Sequence, residues 1–439
     1  MMATIFALSS APGRAGVAVI RVSGDRARTA FEVLTGRTRP APRQAVLARL
    51  RDGTGATLDQ ALCLWFGAPA SFTGQDVCEF HVHGGRAVVE AVLGALGQIA
   101  GLRPARPGEF TRRAVEHGKF DLTAAEALGD LIAAETEQQR LLALRQQEGG
   151  LANLYDQWRT QLTRALAWAE AVINFGEDEV PESAWAKVCG DVRSLADEMQ
   201  QHLSDGQRGE LIRDGLTIAI VGPPNAGKSS LINILARRDV AIVAPTAGTT
   251  RDSIEVRLNL CGYAVTLVDT AGLREAGEDI EAEGIRRALA RARSADLRLL
   301  LLDATAPQAL AAVPLEVRNA GDMVVWNKID LAPAPDAAGL ALSAQTGEGV
   351  PKIIAILAEK VRQRLESPSE APVLTRARHR KAVEEAVDAL ARALVTPEDA
   401  PELMAEDLRL AGRALGQITG AVDVEELLDV IFQDFCIGK

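Results

Sequence analysis

Cysteine is scarce in this 439-residue chain. Cys63, Cys78, Cys189, Cys261 and Cys436 are scattered, odd in number and never spaced as CxxC. Such usage argues against a disulfide scaffold or a structural zinc site and fits a reducing cytosol. No stretch approaches the ~18 uninterrupted apolar residues that a membrane-spanning helix needs. The opening "MMATIFALSSAPGRAG" has no basic segment leading into an apolar core, so no signal peptide is expected and the chain reads as cytoplasmic. Positive charge is not in excess either. Lys and Arg number 48 against 59 Asp and Glu, for a net charge of −11 and a pI near 5.2. Phosphate contacts need clustered Lys and Arg, so this balance argues against a stand-alone nucleic-acid binder, though not against one that handles RNA beside a basic partner. Internal repeats and low-complexity tails are absent.

What is present supports several cores: 47% of residues are apolar, and the length allows two to four domains. Residues 1–118 alternate short apolar runs ("VAVIRVSG", "ALCLWF", "VCEFHVHGG") with Gly and Pro, and "GRAVVEAVLGALGQIAG" reads as a helix among strands. That predicts an α+β domain. Over 119–214 the apolar spacing becomes helical, with no proline from Leu122 to Phe175; a helical bundle is the expectation. Over 215–370, "LTIAIVG", "AVTLVDT", "LRLLLLD", "MVVWNK" and "LALSA" are five strand-like runs separated by helical segments, as in a parallel α/β sheet. Helical spacing resumes over 371–439. The two helical regions are expected to form one discontinuous domain into which a Ras-like α/β domain is inserted at a surface loop. The predicted class is multidomain, α+β and α/β.

The segment "GPPNAGKSS" meets GxxxxGK[ST] with Gly222, Gly227, Lys228 and Ser229, directly after a strand and opening a helix. Glycines let backbone N–H groups curl around a β-phosphate, Lys228 supplies charge, and the Ser229 hydroxyl is placed for Mg²⁺. "DTAG" ends the next core strand, putting Asp269 behind the magnesium and Gly272 near a γ-phosphate. "GTTRD" lies between them and offers Thr250 to the same ion. In "NKID" the Asp330 carboxylate can accept guanine N1–H and N2–H₂, a donor pair adenine lacks; a site built for such bonds rejects the wrong base by roughly 10⁴–10⁵. "SAQ" (343–345) follows the last strand and supports the base from its backbone. These elements, in this order at strand ends, predict a GTPase. The water-positioning glutamine expected after DTAG is missing, since Leu273 stands there. No arginine finger can be named, so another group must orient water and neutralise developing charge.

The chain resembles, from end to end, the MnmE (TrmE) family of bacterial and organellar tRNA-modification GTPases. The resemblance rests on "PGRAGVAVIRVSG", "SFTGQDVCEFHVHGG", "RPARPGEFTRRAVEHGKFDLTAAEAL", "GPPNAGKSSLIN", "AGTTRD", "DTAGLRE" and the terminal "FCIGK". It implies a folate-binding, dimerising N-terminal domain, a split helical domain and an inserted GTPase domain. It also implies K⁺-dependent pairing of two GTPase domains, with K⁺ where an arginine finger would stand, held by the Asn225 side chain and the carbonyls of Ala244, Thr246 and Thr249. A cation there neutralises charge that grows in the transition state. Glu281 falls on the family's water-orienting glutamate; by itself it reads as a solvated carboxylate at a helix start.

Motifs and resemblance together give the expected GTP contacts. They are Asn225, Ala226, Gly227, Lys228, Ser229 and Ser230; Ala244, Pro245, Thr246, Ala247, Gly248, Thr249 and Thr250; Asp269, Thr270, Ala271 and Gly272; Asn327, Lys328, Ile329 and Asp330; and Ser343, Ala344 and Gln345. Two positions depart from the family pattern: Pro223 where a basic residue is commoner, and Gln345 in place of Lys or Arg. Pro245 in the potassium loop leaves the neighbouring carbonyls free.

The resemblance carries folate contacts onto Arg21, Glu79, Lys119 and Lys439. A carboxylate suits the amide and amino edge of a pterin, and Arg or Lys suits its glutamate tail. His81 and His83 alternate on one strand, but no third ligand accompanies them, so they are not read as a metal site. An isolated cysteine is ordinarily a small buried hydrophobe; the resemblance assigns Cys436 a role in tRNA modification apart from GTP hydrolysis, with Lys439 near enough in sequence to favour a thiolate. The implied activity is that of the GTP-hydrolysing component of a complex adding an aminomethyl or carboxymethylaminomethyl group to C5 of wobble uridine 34 in certain tRNAs. Methylene- or 5-formyl-tetrahydrofolate is the implied one-carbon cofactor, beside Mg²⁺, K⁺ and GTP. The implied partners are a second copy of the chain and the FAD-dependent MnmG (GidA), in a heterotetramer or larger complex that brings the basic tRNA surface. The alternative is a GTP-switched factor for ribosome or membrane assembly, which does not predict "FCIGK" or a folate-retaining domain.

Overall fold

The computed structural model describes residues 3–174, 183–204, 206–238, 240–242, 255–269, 290, 292–306, 308, 310, 313, 322–335, 339–367, 371–397, 400–422, 428, 431–432, 435 and 437–438. The chain divides into two compact units. One comprises Met1–Gly129, Gln146–Trp185 and Thr396–Lys439, the other Asp130–Arg145 and Ala186–Val395.

In the first unit, β1 (Thr4–Leu8), β2 (Ala15–Ser23), β3 (Val46–Arg51), β4 (Thr57–Phe66), β5 (Val77–Gly84) and β6 (Leu102–Pro104) form a sheet in the order β3-β4-β5-β2-β1-β6. Neighbours run antiparallel except β1 and β6. Alternation sorts the side chains of β5: Cys78, Phe80 and Val82 enter the core, while Glu79, His81 and His83 stay on the opposite face. Helices α1 (Ala27–Thr35) and α2 (Arg86–Gly97) cover the core face, where Phe31 stacks on Phe80 at 6.2 Å. Each such buried aromatic or aliphatic side chain contributes roughly 1.5–3 kcal/mol.

After α3 (Glu109–Glu116), the helical region opens with α4 (Leu122–Ala133), α5 (Glu137–Gln147) and α6 (Gly150–Asn174). A pattern that reads as continuous from the sequence is thus broken twice. Gln139 turns its Oε1 back to accept the Glu135 and Thr136 N–H groups, a capping arrangement that starts a new helix. Gly149, at φ 92°, ends α5 in the left-handed region. Along α6, Leu151, Tyr155, Trp158, Leu162, Ala165 and Ala169 bury one stripe. Its partner in the same unit, α12 (Pro401–Thr419), buries Met404, Leu408, Ala411, Leu415 and Ile418.

The second unit contains the end of α4 (from Asp130), α5 as far as Arg145, α7 (Ser183–Ser204, from Ala186 on), α8 (Gly206–Asp214), α9 (Lys228–Ala236), α10 (Val350–Leu365) and α11 (Ala377–Val395). Its sheet is built from β7 (Leu216–Val221), β8 (Glu255–Leu260), β9 (Tyr263–Asp269), β10 (Leu297–Asp303), β11 (Met323–Asn327) and β12 (Leu340–Ala341), in the order β12-β11-β10-β7-β9-β8. Five strands are parallel, as the sequence predicts, and β8 is a sixth, antiparallel to β9. The unbroken apolar run of β10 is explained by cover on both faces: Leu299 and Leu301 enter one core, Leu300 and Leu302 the other. The order reverses at β7, flanked by β10 and β9, so the carboxyl end of β7 opens onto the crevice where ligands of such sheets bind.

Candidate nucleotide and one-carbon sites

The loop from Gly222 to Gly227 leaves the carboxyl end of β7 and turns directly into α9. Two glycines are required by close approach. A Cβ on Gly222 would collide with the Leu301 carbonyl, and one on Gly227, at φ 93°, with the Asn327 side-chain amide. Asn225 also lies in the left-handed region, at φ 63°, with its side chain exposed. Lys228 is buried, and its Nζ donates to the carbonyls of Gly222 (2.8 Å) and Pro223 (2.9 Å), which holds the ammonium over the loop. Ser229 Oγ donates to Oδ2 of the fully buried Asp269 at 2.7 Å. The start of α9 and the end of β9 thus bring together a hydroxyl and a carboxylate, hard oxygens of the kind Mg²⁺ takes.

The segments expected to hold the base meet at Asn327, which is buried at the end of β11. Its Nδ2 donates to the Ala226 carbonyl at 2.7 Å and its Oδ1 accepts the Ala344 N–H at 2.9 Å. One amide therefore joins the 222–227 loop to the 343–345 segment. Ser343, also buried, accepts the N–H groups of Gln345 (3.2 Å) and Thr346 (3.1 Å) on its Oγ and shapes that turn. Ile329 donates its N–H to the Leu342 carbonyl, while the Asp330 and Gln345 side chains are exposed. Lys328, at φ 66°, donates to Asp303 at the end of β10. Burial alone would raise the Asp303 pKa, but hydrogen bonds from Lys328 and Thr305 outweigh it and hold the carboxyl below its usual range. Asp303 was not among the expected site residues. Its signal is the Asp that closes the "LRLLLLD" run.

In the first unit, Arg21 on β2 and Glu79 on β5 sit directly opposite in the ladder. Arg21 Nε donates to Glu79 Oε1 at 2.9 Å, and His81 Nε2 lies 3.2 Å from Oε2. The guanidinium rests over Phe72 (5.2 Å to the centroid) and Phe110 (5.8 Å). Burial would raise the Glu79 pKa; His81 and Arg21 together bring it below the ordinary value. Lys119 is exposed, its Nζ donating to the Pro69 carbonyl at 2.9 Å. Pro69 and Phe72 belong to the same loop, so one loop touches both Lys119 and Arg21. His83 is bound separately, with its Nδ1 2.8 Å from Asp59 Oδ1. Ile437 bridges to Pro107, and the Gly438 carbonyl accepts from Ser9 Oγ at 2.9 Å. Arg103, Glu109 and Arg113 form a network that the motif reading did not single out. Of the remaining expected residues, the segment from Ala244 to Thr250, residues Thr270 to Gly272, Glu281, Cys436 and Lys439 lie outside the described residues.

Comparison with known proteins shows the family. A model of the GTP-binding protein TrmE N-terminus matches residues 4–119, and one of the MnmE helical domain matches residues 122–436. The chain is 57% identical over 444 residues to the tRNA modification GTPase MnmE of Parvibaculum lavamentivorans, covering all of both chains. It is 55% identical over 445 residues to that of Paramagnetospirillum magneticum, with the same coverage, and 52% identical over 442 residues to that of Maricaulis maris, again covering all of both. This chain belongs to the MnmE family of tRNA modification GTPases.

Proposed function

We propose that the chain is the GTP-hydrolysing component of a complex that installs an aminomethyl or carboxymethylaminomethyl group on C5 of wobble uridine 34. In this reading residues 1–118 bind folate and dimerise, 119–214 and 371–439 form the helical domain, and 215–370 are the GTPase. The observation that carries the reading is the Ser229–Asp269 pair beneath a glycine loop whose Lys228 faces its own carbonyls. Main-chain N–H groups of that loop and Lys228 bind the phosphates, Ser229 with Thr250 holds Mg²⁺, and Asp330 selects guanine. Mg²⁺ held there would neutralise phosphate charge. The exposed Asn225, with Ala244, Thr246 and Thr249, holds K⁺, which adds positive charge where an arginine finger is missing. Glu281 orients the attacking water.

Arg21, Glu79, Lys119 and Lys439 hold tetrahydrofolate, as its methylene or 5-formyl form; a carboxylate held charged beside an aromatic-backed guanidinium fits a pterin edge and a carboxylate tail. The folate supplies the one-carbon unit. Cys436 takes part in tRNA modification and not in hydrolysis. The protein works in the cytoplasm as a homodimer with the FAD-dependent MnmG, which carries most of the tRNA surface, and hydrolysis opens and closes the paired GTPase domains.

The test compares GTP turnover in KCl and NaCl. Stimulation by K⁺ is expected, and equal rates would remove the ion cage and the paired-domain mechanism together. For the cysteine, Cys436→Ser is expected to abolish modified tRNA in cells with GTP turnover intact. Wild-type levels of modification in that strain would end the assignment.

A further inference from the structure

The net charge of −11 is unevenly placed. Residues 1–118 carry fourteen arginines, no lysine and nine carboxylates, a surplus of five positive charges in an acidic chain. Five of those arginines, Arg37, Arg39, Arg43, Arg49 and Arg51, fall within fifteen residues that contain no Asp or Glu. All five are exposed. They surround β3, the edge strand of the first sheet, which pairs only with β4. Arg49 and Arg51 alternate with the buried Ala48 and Leu50, so they share the outward face about 7 Å apart. Arg37, Arg39 and Arg43 come from the segment leading into the strand.

From this strip we infer a docking surface for the phosphate backbone of the tRNA. Of the other nine arginines in residues 1–118, six are matched to carboxylates, as in Arg28–Glu32, Arg86–Glu90 and Arg112–Glu116. Among the described residues none of the five is so matched. Arg37, Arg43 and Arg51 donate to the carbonyls of Leu47 (3.2 Å), Ala70 (3.2 Å) and Gly55 (2.8 Å), which orients the guanidinium without cancelling its charge. Arg39 lies 5.2 Å over the Trp65 ring. A planar fork with donors left over, held in place by carbonyls or an aromatic ring, is suited to phosphate oxygens. Protection of a free sheet edge is the other use of exposed charge, but it needs one or two charges on the strand, not five of one sign spread over the strand and its approach. The inference rests on membership of a tRNA-modifying family, which supplies the polyanion. It adds to the partner's tRNA surface one contributed by this chain.

The experiment uses the full chain without nucleotide and an unmodified tRNA transcript with uridine at the wobble position, titrated from low to high KCl. Each phosphate contact contributes roughly 0.7–0.9 to the slope of log affinity on log salt. Arg39→Gln/Arg49→Gln/Arg51→Gln is expected to weaken binding about tenfold or more at fixed salt and lower the slope by about 2–3. The same three positions as lysine should retain most of both, and GTP turnover should be unchanged. Arg49 has no hydrogen bond or ion pair among the described residues, so Arg49→Gln alone, with a slope loss near one contact, serves if the triple variant does not fold. Unchanged affinity and slope overturn the inference, as does wild-type protein that shows no salt-dependent binding. Variants that lose phosphatidylserine vesicles but keep tRNA overturn it in favour of a membrane surface. The family reading fails on a different result: wild-type protein that does not restore wobble modification to a strain lacking its own.

Discussion

Asn327 donates its side-chain amide to the Ala226 carbonyl at 2.7 Å, tying the end of β11 to the loop that follows β7. The same side chain accepts the Ala344 N–H, so a single buried amide fixes three segments at the carboxyl edge of the sheet. Asn327→Ala leaves the Ala344 N–H without this acceptor and the Ala226 carbonyl without this donor, at a cost of about 1–3 kcal/mol for each buried group left unpaired. The expected outcome is a GDP affinity lower by roughly one to two orders of magnitude, measured with a fluorescent nucleotide, and a lower melting temperature. Gly227→Ala should act on the same contact from the other side, because its Cβ would collide with that amide. Being coupled, the two substitutions should combine less than additively. Additive losses would separate the glycine from the asparagine.

The frame of this site was legible in the sequence, while its wiring was not. A glycine loop between an apolar run and a helix is a local pattern, and so are the strands that end on Asp269 and Asn327. The bridging role of Asn327 depends on three strand ends meeting, which no local window contains. Edge strand β8 does alternate, with Val256, Leu258 and Leu260 turned inward, but the period lasts only six residues and is faint beside the continuous apolar runs of its neighbours. The breaks before α5 and after it are set by a Gln139 cap and a left-handed Gly149, both small signals inside a strong helical period. Asp303 escaped notice because its partner Lys328 stands 25 positions away.

Arg21 and Glu79 make a second testable pair. Removing one partner of a part-buried ion pair leaves the other charge uncompensated, which costs more than the pair contributes. Glu79→Gln should therefore weaken the binding of 5-formyl-tetrahydrofolate by about tenfold or more and lower the thermal stability by about 1–3 kcal/mol. Arg21→Lys keeps the charge but loses the planar stacking over Phe72 and Phe110, and should fall between the wild type and Glu79→Gln. Calorimetric titration with the folate checks both. GTP turnover by the isolated protein should not change in either variant, and parallel losses of turnover and folate binding would point to general unfolding.

Glu109 gives the pH prediction. Burial alone would raise its pKa, but Arg103, the Arg106 N–H and Arg113 outweigh burial and bring it to about 2. Arg103 contributes two bonds, at 2.6 and 2.8 Å, and Arg113 one at 2.9 Å. A folded pKa below the unfolded value of ~4.3 means that the carboxylate stabilises the fold fully above that pH, and that this contribution is lost as pH falls toward the folded value. Solvent screens part of the interaction, so the contribution at neutral pH is on the order of 1–3 kcal/mol. Urea unfolding of the wild type and Glu109→Gln should differ by this amount at pH 6–7. Because the glutamine cannot titrate, the gap should narrow steadily from pH ~4.5 toward pH ~2. A gap that stays constant across that window would mean that Glu109 acts by shape and neutral hydrogen bonding, not by the charge it holds against Arg103 and Arg113.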